Sequence, residues 1–446
     1  MNKDFSIRSI KNKVLNAQTI RIVFIVILVI LIGAFFLQVY LTHGTVTRGI
    51  FFQDTNDTFM DFFKVQKSIT SLAPVSEGIY PPLSYIIMLP FNRFVDYNTV
   101  DPLTARDMQL GIMSLIVYLA FWVFIACVFL SKIFKKHRGQ NIFIVFLLLL
   151  SAPMIFLFER GNINVAVLAF LAIFFAYYED KSPVLRELAI VALAVATGIK
   201  LYPALFGLLL LKKETIFSFL RLVAYCVLLI ILPVFLFDGG LDNIKKMAQN
   251  ILSFSDTLAG WPDSPALRSI LGFGAMFRSA SIKFGVGHDW YQQAAQITSY
   301  IMLAGSVIGS FFINKKWKKV ALLACPIVLF PAMSGIYNIV YFFVPILFFL
   351  GEEKREWTDY LYMVLFIVML NPVQFGDWIP MVAKTTIFTN ICSVLLNSFL
   401  CLEALTGLIK FVSSKVKSKA KIPQGAFEPK LAQPDFASEA AEEIHE

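Results

Sequence analysis

Two aspartates four residues apart, Asp57 and Asp61, are the residues of this chain whose type and spacing best suit acid–base chemistry. If residues 56–69 form one helix, that spacing puts both carboxylates on a single face, with Phe59, Phe62 and Phe63 largely on the others. A carboxylate held beside apolar rings has its charged form disfavoured, which makes it a better base than a solvated one. The plainer alternative is a solvated acidic helix start, favoured by its own N-terminal dipole. Asp57 is the first choice of base and Asp61 the second. Another constellation, Glu159-Arg160-Gly161-Asn162-Ile163-Asn164, opens an apolar run. Free backbone donors at a helix start, a cation and two amides form an anion site suited to a phosphate. The plainer reading is a Glu159/Arg160 pair at the lipid headgroups. Asn162 and Asn164 favour function, because unsatisfied amides are costly in hydrocarbon. Lys200, before Leu201-Tyr202-Pro203, either snorkels to the headgroups or supplies a second cation for the same phosphate. Tyr80, ahead of Pro81-Pro82, and Tyr202 are candidate substrate contacts beside these motifs. His288 is a further candidate, for which surface packing is the plainer reading. The chain has no metal-ligand spacing of His, Cys and carboxylates and no P-loop or Rossmann glycine pattern, so no cofactor is expected.

The elements that must position these residues follow from composition. The chain has 446 residues, 58% of them hydrophobic and 15% charged, and a mean hydropathy of +0.71. This is far more apolar than a soluble core requires. Each crossing of a hydrocarbon layer about 30 Å thick takes roughly 20 residues, so the expectation is an all-α polytopic membrane protein of about 12 transmembrane helices. Little length is left for a soluble catalytic domain. The five cysteines lie in apolar runs without close pairing and read as packing residues. The net charge of +9 comes in short clusters between apolar segments. Positive-inside topology explains those clusters without a nucleic-acid partner.

Orienting the apolar segments by these clusters divides the chain into six parts. Residues 1–42 are a cytoplasmic N-terminus and first span, and 43–108 are a first extracytoplasmic loop. That loop carries both aspartates and, after Tyr80-Pro81-Pro82, a short interfacial or re-entrant helix. Residues 109–237 hold spans two to seven, 238–295 form a second large extracytoplasmic loop and 296–412 hold spans eight to twelve. Residues 413–446 are a polar cytoplasmic tail expected to be disordered. In this scheme both long loops, Arg160 and Lys200 share the outer face of the membrane.

Arg160 to Asn164 opening one span and Lys200 to Pro203 ending another form, with the acidic loop closing on Tyr80-Pro81-Pro82 and the late segment Tyr341 to Pro345, a set of motifs. Together they resemble glycosyltransferase family 87 over roughly residues 20–350. The resemblance implies a polytopic GT-C arrangement and transfer of a hexose such as mannose from a polyprenyl-phosphate donor. The acceptor would be a hydroxyl on a lipid or envelope glycan at the extracytoplasmic face of the cell membrane. It also implies that an aspartate of the first outer loop is the base, which carries onto Asp57 or Asp61. Arg160, Asn162, Asn164 and Lys200 then serve the donor phosphate and sugar, in an inverting displacement that requires no metal. Membrane lipid and envelope-assembly proteins are the further partners expected. Two departures stand out: the aspartates are not followed by the family's commoner Asp-aromatic-x-Val-Tyr spelling, and Asn338 stands where the family often has a histidine. The alternative is a multi-pass transporter or flippase of a lipid-linked sugar. A carrier should show polar or broken-helix features near mid-membrane and repeat-like halves, whereas here the polar residues collect at one face.

Overall fold

The structure is a computed structural model that describes residues 17–48, 55–70, 78, 80–133, 138–211, 215–259, 271–285, 289–331, 334–379 and 382–420. It is helical throughout except for one short antiparallel pair, Asp377–Ile379 with Val382–Ala383. Four helices are long and apolar enough to cross a membrane: Ala17–Leu41, Gln109–Leu130, Ile216–Leu236 and Lys384–Val416. A fifth crossing results if Gly139–Leu149 and Ala152–Arg160, bent by 53° at their junction, count as one. The bend follows from Ser151, which is extended, and from Pro153, whose ring removes a donor from the first turn of the second helix.

Four or five such spans among the described residues are fewer than the twelve expected from hydropathy. The other apolar runs form shorter helices, among them Asn164–Tyr177 and Thr358–Leu370. Within the stretch 109–237 expected to hold spans two to seven, residues 202–210 form a 3-10 helix, and the late run begins as 3-10 helix at Ile336–Phe342 before turning α-helical at Phe343–Gly351. Hydropathy responds to apolar content, and a segment enclosed by other helices is as apolar as one that faces lipid. Asn164–Tyr177 shows this: it is apolar all round and buried along most of its length, packed between Gln109–Leu130 and Pro183–Ile199. Gln109–Leu130, by contrast, buries Gly111, Ser114, Leu115, Tyr118, Trp122 and Ala126 at helical spacing and exposes Met113, Ile116 and Phe124.

One local expectation also changes. Residues 56–69 are not one helix: a 3-10 turn, Thr55–Asp57, is separated from the helix Met60–Thr70 by Phe59, whose φ of 63° no helix accommodates. The short helix after Tyr80-Pro81-Pro82 spans Pro82–Met88 and packs one face on the protein, with Pro82, Ser84, Tyr85 and Met88 buried. Ser84 Oγ donates to the carbonyl of Ile199 at 2.8 Å, which ties this loop to the end of Pro183–Ile199. The C-terminal helix runs on to Ala420, past the expected end of the last span at 412.

Candidate active site

The site is an interlock of two turns. One is the left-handed turn between Asp57 and Asp61, and the other joins Ala152–Arg160 to Asn164–Tyr177. Phe59 N donates to the carbonyl of Glu159 at 2.7 Å, and the Thr58 hydroxyl bonds the Glu159 carboxyl group. Gly161 has a φ of 62°, and a Cβ there would come within 2.8 Å of Phe62 Cβ. Glycine therefore meets both the backbone and the space requirement of this turn. The interlock brings the charged groups together. Arg160 donates to Asp61 Oδ1 at 2.6 Å and reaches Asp57 Oδ2 at 3.0 Å. Asn162 Nδ2 donates to Asp61 Oδ2 at 2.6 Å, and Lys64 stands 3.4 Å from Asp57 Oδ1.

The two aspartates are not equivalent. The Asp57 side chain is 45% exposed and that of Asp61 16%, so Asp57 forms the rim and Asp61 the interior. Burial acts to raise the Asp57 pKa, but the Arg160 and Lys64 charges outweigh it and hold the carboxyl below its ordinary value. The charge of Asp61 is felt by Tyr80 and Lys200, deeper in. Lys200 caps Pro183–Ile199 in an extended conformation. Its Nζ lies 5.6 Å from the ring centroids of both Tyr80 and Tyr337, and among the described residues it has no ion pair. Burial brings its pKa down to about 8, against the opposing pull of Asp61. Burial, reinforced by Asp61, pushes the Tyr80 hydroxyl well above its ordinary value, so it stays neutral and able to donate. Tyr337 is in turn stacked on Phe156, with centroids 5.7 Å apart and planes at 11°.

Behind the charged layer lies a neutral one. Asn164 Nδ2 donates to Asn338 Oδ1 at 2.6 Å, Tyr341 donates to Asn164 Oδ1 at 3.2 Å, and Asn338 Nδ2 donates to Ser334 Oγ at 2.9 Å. Asn164 and Asn338 are buried, so their amides bond protein partners.

Of the residues singled out in the sequence, Asp57, Asp61, Arg160 and Asn162 meet directly, and Lys200 and Tyr80 adjoin them. Asn164 and Asn338 form the supporting layer. Tyr202, partly exposed, interacts electrostatically with Tyr337 and Tyr341, and His288 lies outside the described residues. Sequence reasoning missed Tyr337, and it named Tyr341 as part of a motif without a place in the site. Their signal was the placing of two tyrosines in an apolar run, where a buried hydroxyl needs a partner.

The arrangement offers a partly buried carboxylate fixed by a guanidinium and an amide, beside an ammonium without a matching anion. Such a site can take up a proton and receive a negatively charged group. The profile of glycosyltransferase family 87 matches residues 79–372, more than half of the chain. The match takes in Arg160, Asn162, Asn164, Lys200 and Asn338, and both aspartates lie upstream of it. No curated protein and no solved structure shows a significant match.

Proposed function

Because the chain belongs to glycosyltransferase family 87 and is a membrane glycosyltransferase, we propose that it moves a hexose such as mannose from a polyprenyl-phosphate donor to a hydroxyl of a lipid or envelope glycan. The reaction takes place at the extracytoplasmic face of the cell membrane. In this reading the shorter, broken apolar helices complete a GT-C-like array of about twelve crossings around the site. The observation that carries the reading is the placing of Asp61, bonded by Arg160 and Asn162, next to Lys200 between two tyrosine rings.

The acceptor oxygen attacks the anomeric carbon as the bond from that carbon to the phosphate oxygen breaks, and a single displacement inverts the configuration. Asp61 takes the acceptor proton and Asp57 holds Arg160 from the rim. The departing polyprenyl phosphate gains charge in the transition state, where preorganised cations act most strongly. Lys200 has no ion-pair partner among the described residues, although Asp61 acts on its charge. Arg160 joins it by sharing its fork between Asp61 and a phosphate oxygen, which also loosens the grip on the base. Tyr80 and Tyr337 offer flat faces and hydroxyls to the sugar ring.

The test is incubation of the purified protein with radiolabelled polyprenyl-phosphate hexoses and a crude lipid acceptor fraction. Label should move from donor to acceptor, with release of polyprenyl phosphate. Failure of every polyprenyl-phosphate sugar to be consumed would remove the donor assignment.

A further inference from the structure

Asn390 lies on the helix Lys384–Ala420, beyond the region matched by the family, and the scheme above gives it no part. It is 2% exposed. Both ends of its amide are spent on the backbone of one residue: Oδ1 accepts from Gly272 N at 2.8 Å and Nδ2 donates to Gly272 O at 3.1 Å. A buried amide left unpaired is costly, so this double bond is a strong local constraint. Gly272 reinforces it. Its φ is 114°, a conformation open in practice to glycine alone, and a Cβ would meet the carbonyl oxygen of Leu329 at 2.6 Å.

From this clamp a run of hydrogen bonds leads to the proposed base. Leu271 N donates to Ser334 O at 2.6 Å. Ser334 Oγ accepts from Asn338, Asn338 Oδ1 accepts from Asn164, and Asn164 N donates to Asn162 Oδ1 at 3.0 Å. Asn162 Nδ2 then donates to Asp61 Oδ2. Ser334, Asn338, Asn164 and Asn162 are each 5% exposed or less. An amide group has distinct donor and acceptor ends, so turning over the Asn338 or Asn162 side chain would break the bonds on both sides of it. The run therefore has one orientation.

We propose that Asn390 is a positioning residue for glycosyl transfer: by clamping the Gly272 backbone it holds Ser334 and, through Asn338, Asn164 and Asn162, the orientation of the Asp61 carboxylate. The inference rests on Asp61 being the base. Small displacements of a reacting group lower turnover steeply, so a residue remote in sequence and in space acts on rate more than on affinity.

Asn397 provides the control. It lies two turns along the same helix, is 1% exposed and bonds Ser306 Oγ at 2.7 Å, off the run to the site. Asn390→Ala and Asn397→Ala are expected to lower the melting temperature in detergent comparably. Only Asn390→Ala should lower kcat, on the order of 10- to 100-fold, with the donor KM little changed. Adding Asn338→Ala to Asn390→Ala should cost less than the product of the two single effects, as for groups in one network. Hydrogen exchange should quicken in residues 334–338 and 162–164 of Asn390→Ala and not of Asn397→Ala. An unchanged kcat, fully multiplicative effects, or exchange confined to the neighbourhood of Gly272 would each overturn the proposal. If the wild-type protein turns over no polyprenyl-phosphate sugar, the reaction scheme fails, and the exchange comparison still decides on Asn390.

Discussion

The helix Lys316–Leu329 has a charged cluster near its first residue and, past its last one, the polar layer behind the site, and the two clusters are built differently. At the first end, Lys315 and Lys318 meet Glu356, Asp359 and Glu403, and Arg355 lies 3.9 Å from Asp359. Three cations thus face three carboxylates, each with an opposite charge within ion-pair distance, and Tyr362 donates to Glu403 at 2.7 Å. These groups come from helices that pack on one another, and the cluster binds Lys316–Leu329, Thr358–Leu370 and Lys384–Ala420 together. At the other end Asp57 and Asp61 match Arg160 and Lys64, while Lys200 lies between two rings, feels the Asp61 charge and has no ion pair among the described residues. Here Asp61 and Lys64 lie on Met60–Thr70 and Arg160 ends Ala152–Arg160, while Asp57 and Lys200 sit at the ends of their elements. A cluster of matched charges has less with which to bind a substrate, whereas a cation without an ion pair keeps more of its attraction for an anion. In the proposed scheme this difference separates a structural set of charges from the catalytic one.

Substitutions can break or sharpen that contrast. The largest effect is expected at Asp61: Asp61→Asn should lower kcat on the order of 10²- to 10⁴-fold, the usual range for a general base, with donor binding retained. Asp57→Asn, at the half-exposed rim, should lower it no more than about fivefold, the equivalent of about 1 kcal/mol. A reversed order in a side-by-side radiolabel assay would make Asp57 the base. Next comes Lys200. Lys200→Ala should reduce kcat/KM for the donor by about 10²- to 10³-fold. Because the Lys200 pKa lies at about 8, its charge is present below that pH and lost above it. The kcat/KM of the wild-type protein should therefore fall as pH rises through about 8. Lys200→Arg, which stays charged, should shift that fall to higher pH. An alkaline limb identical in both proteins would take Lys200 out of the phosphate site.

The smallest effect on turnover is expected at the closed cluster. Lys318→Met strips Glu403 of its buried partner and should lower unfolding stability by about 3 kcal/mol, toward the low end for breaking a buried pair because Glu403 keeps some exposure. Activity per folded molecule should be unchanged. A selective loss of kcat in this variant, with stability intact, would erase the distinction between the two ends.

Legibility in the sequence follows the range of the interactions. Hydropathy and charge are local signals, and they placed the apolar segments that hold Gln109–Leu130, Asn164–Tyr177 and Pro183–Ile199 and the membrane class of the whole chain. The motif Arg160 to Asn164 was legible because cations and amides stand out in an apolar run, and the family match covers it. The number of full spans was not legible, since an enclosed helix such as Asn164–Tyr177 reads the same as one in lipid. Nor was the shape of the Asp57–Asp61 turn: a spacing of four suggests one helix, while the Phe59 N bond to Glu159, a hundred residues away, bends the chain at that point.

The sequence by itself determined that this is a helical membrane protein with two aspartates, a basic motif with amides and a lone lysine as its reactive inventory. Only the tertiary structure decided that Asp61 is interior and Asp57 the rim, that Tyr337 faces Lys200, and that Asn338 serves Asn164 and Ser334. The physical reason is that composition and periodicity act over one or two turns of helix. Hydrogen bonds between Asn164 and Asn338, or Asn390 and Gly272, join positions more than a hundred residues apart. Such pairs exist only once the helices have packed and each buried amide has taken the partner left within its reach.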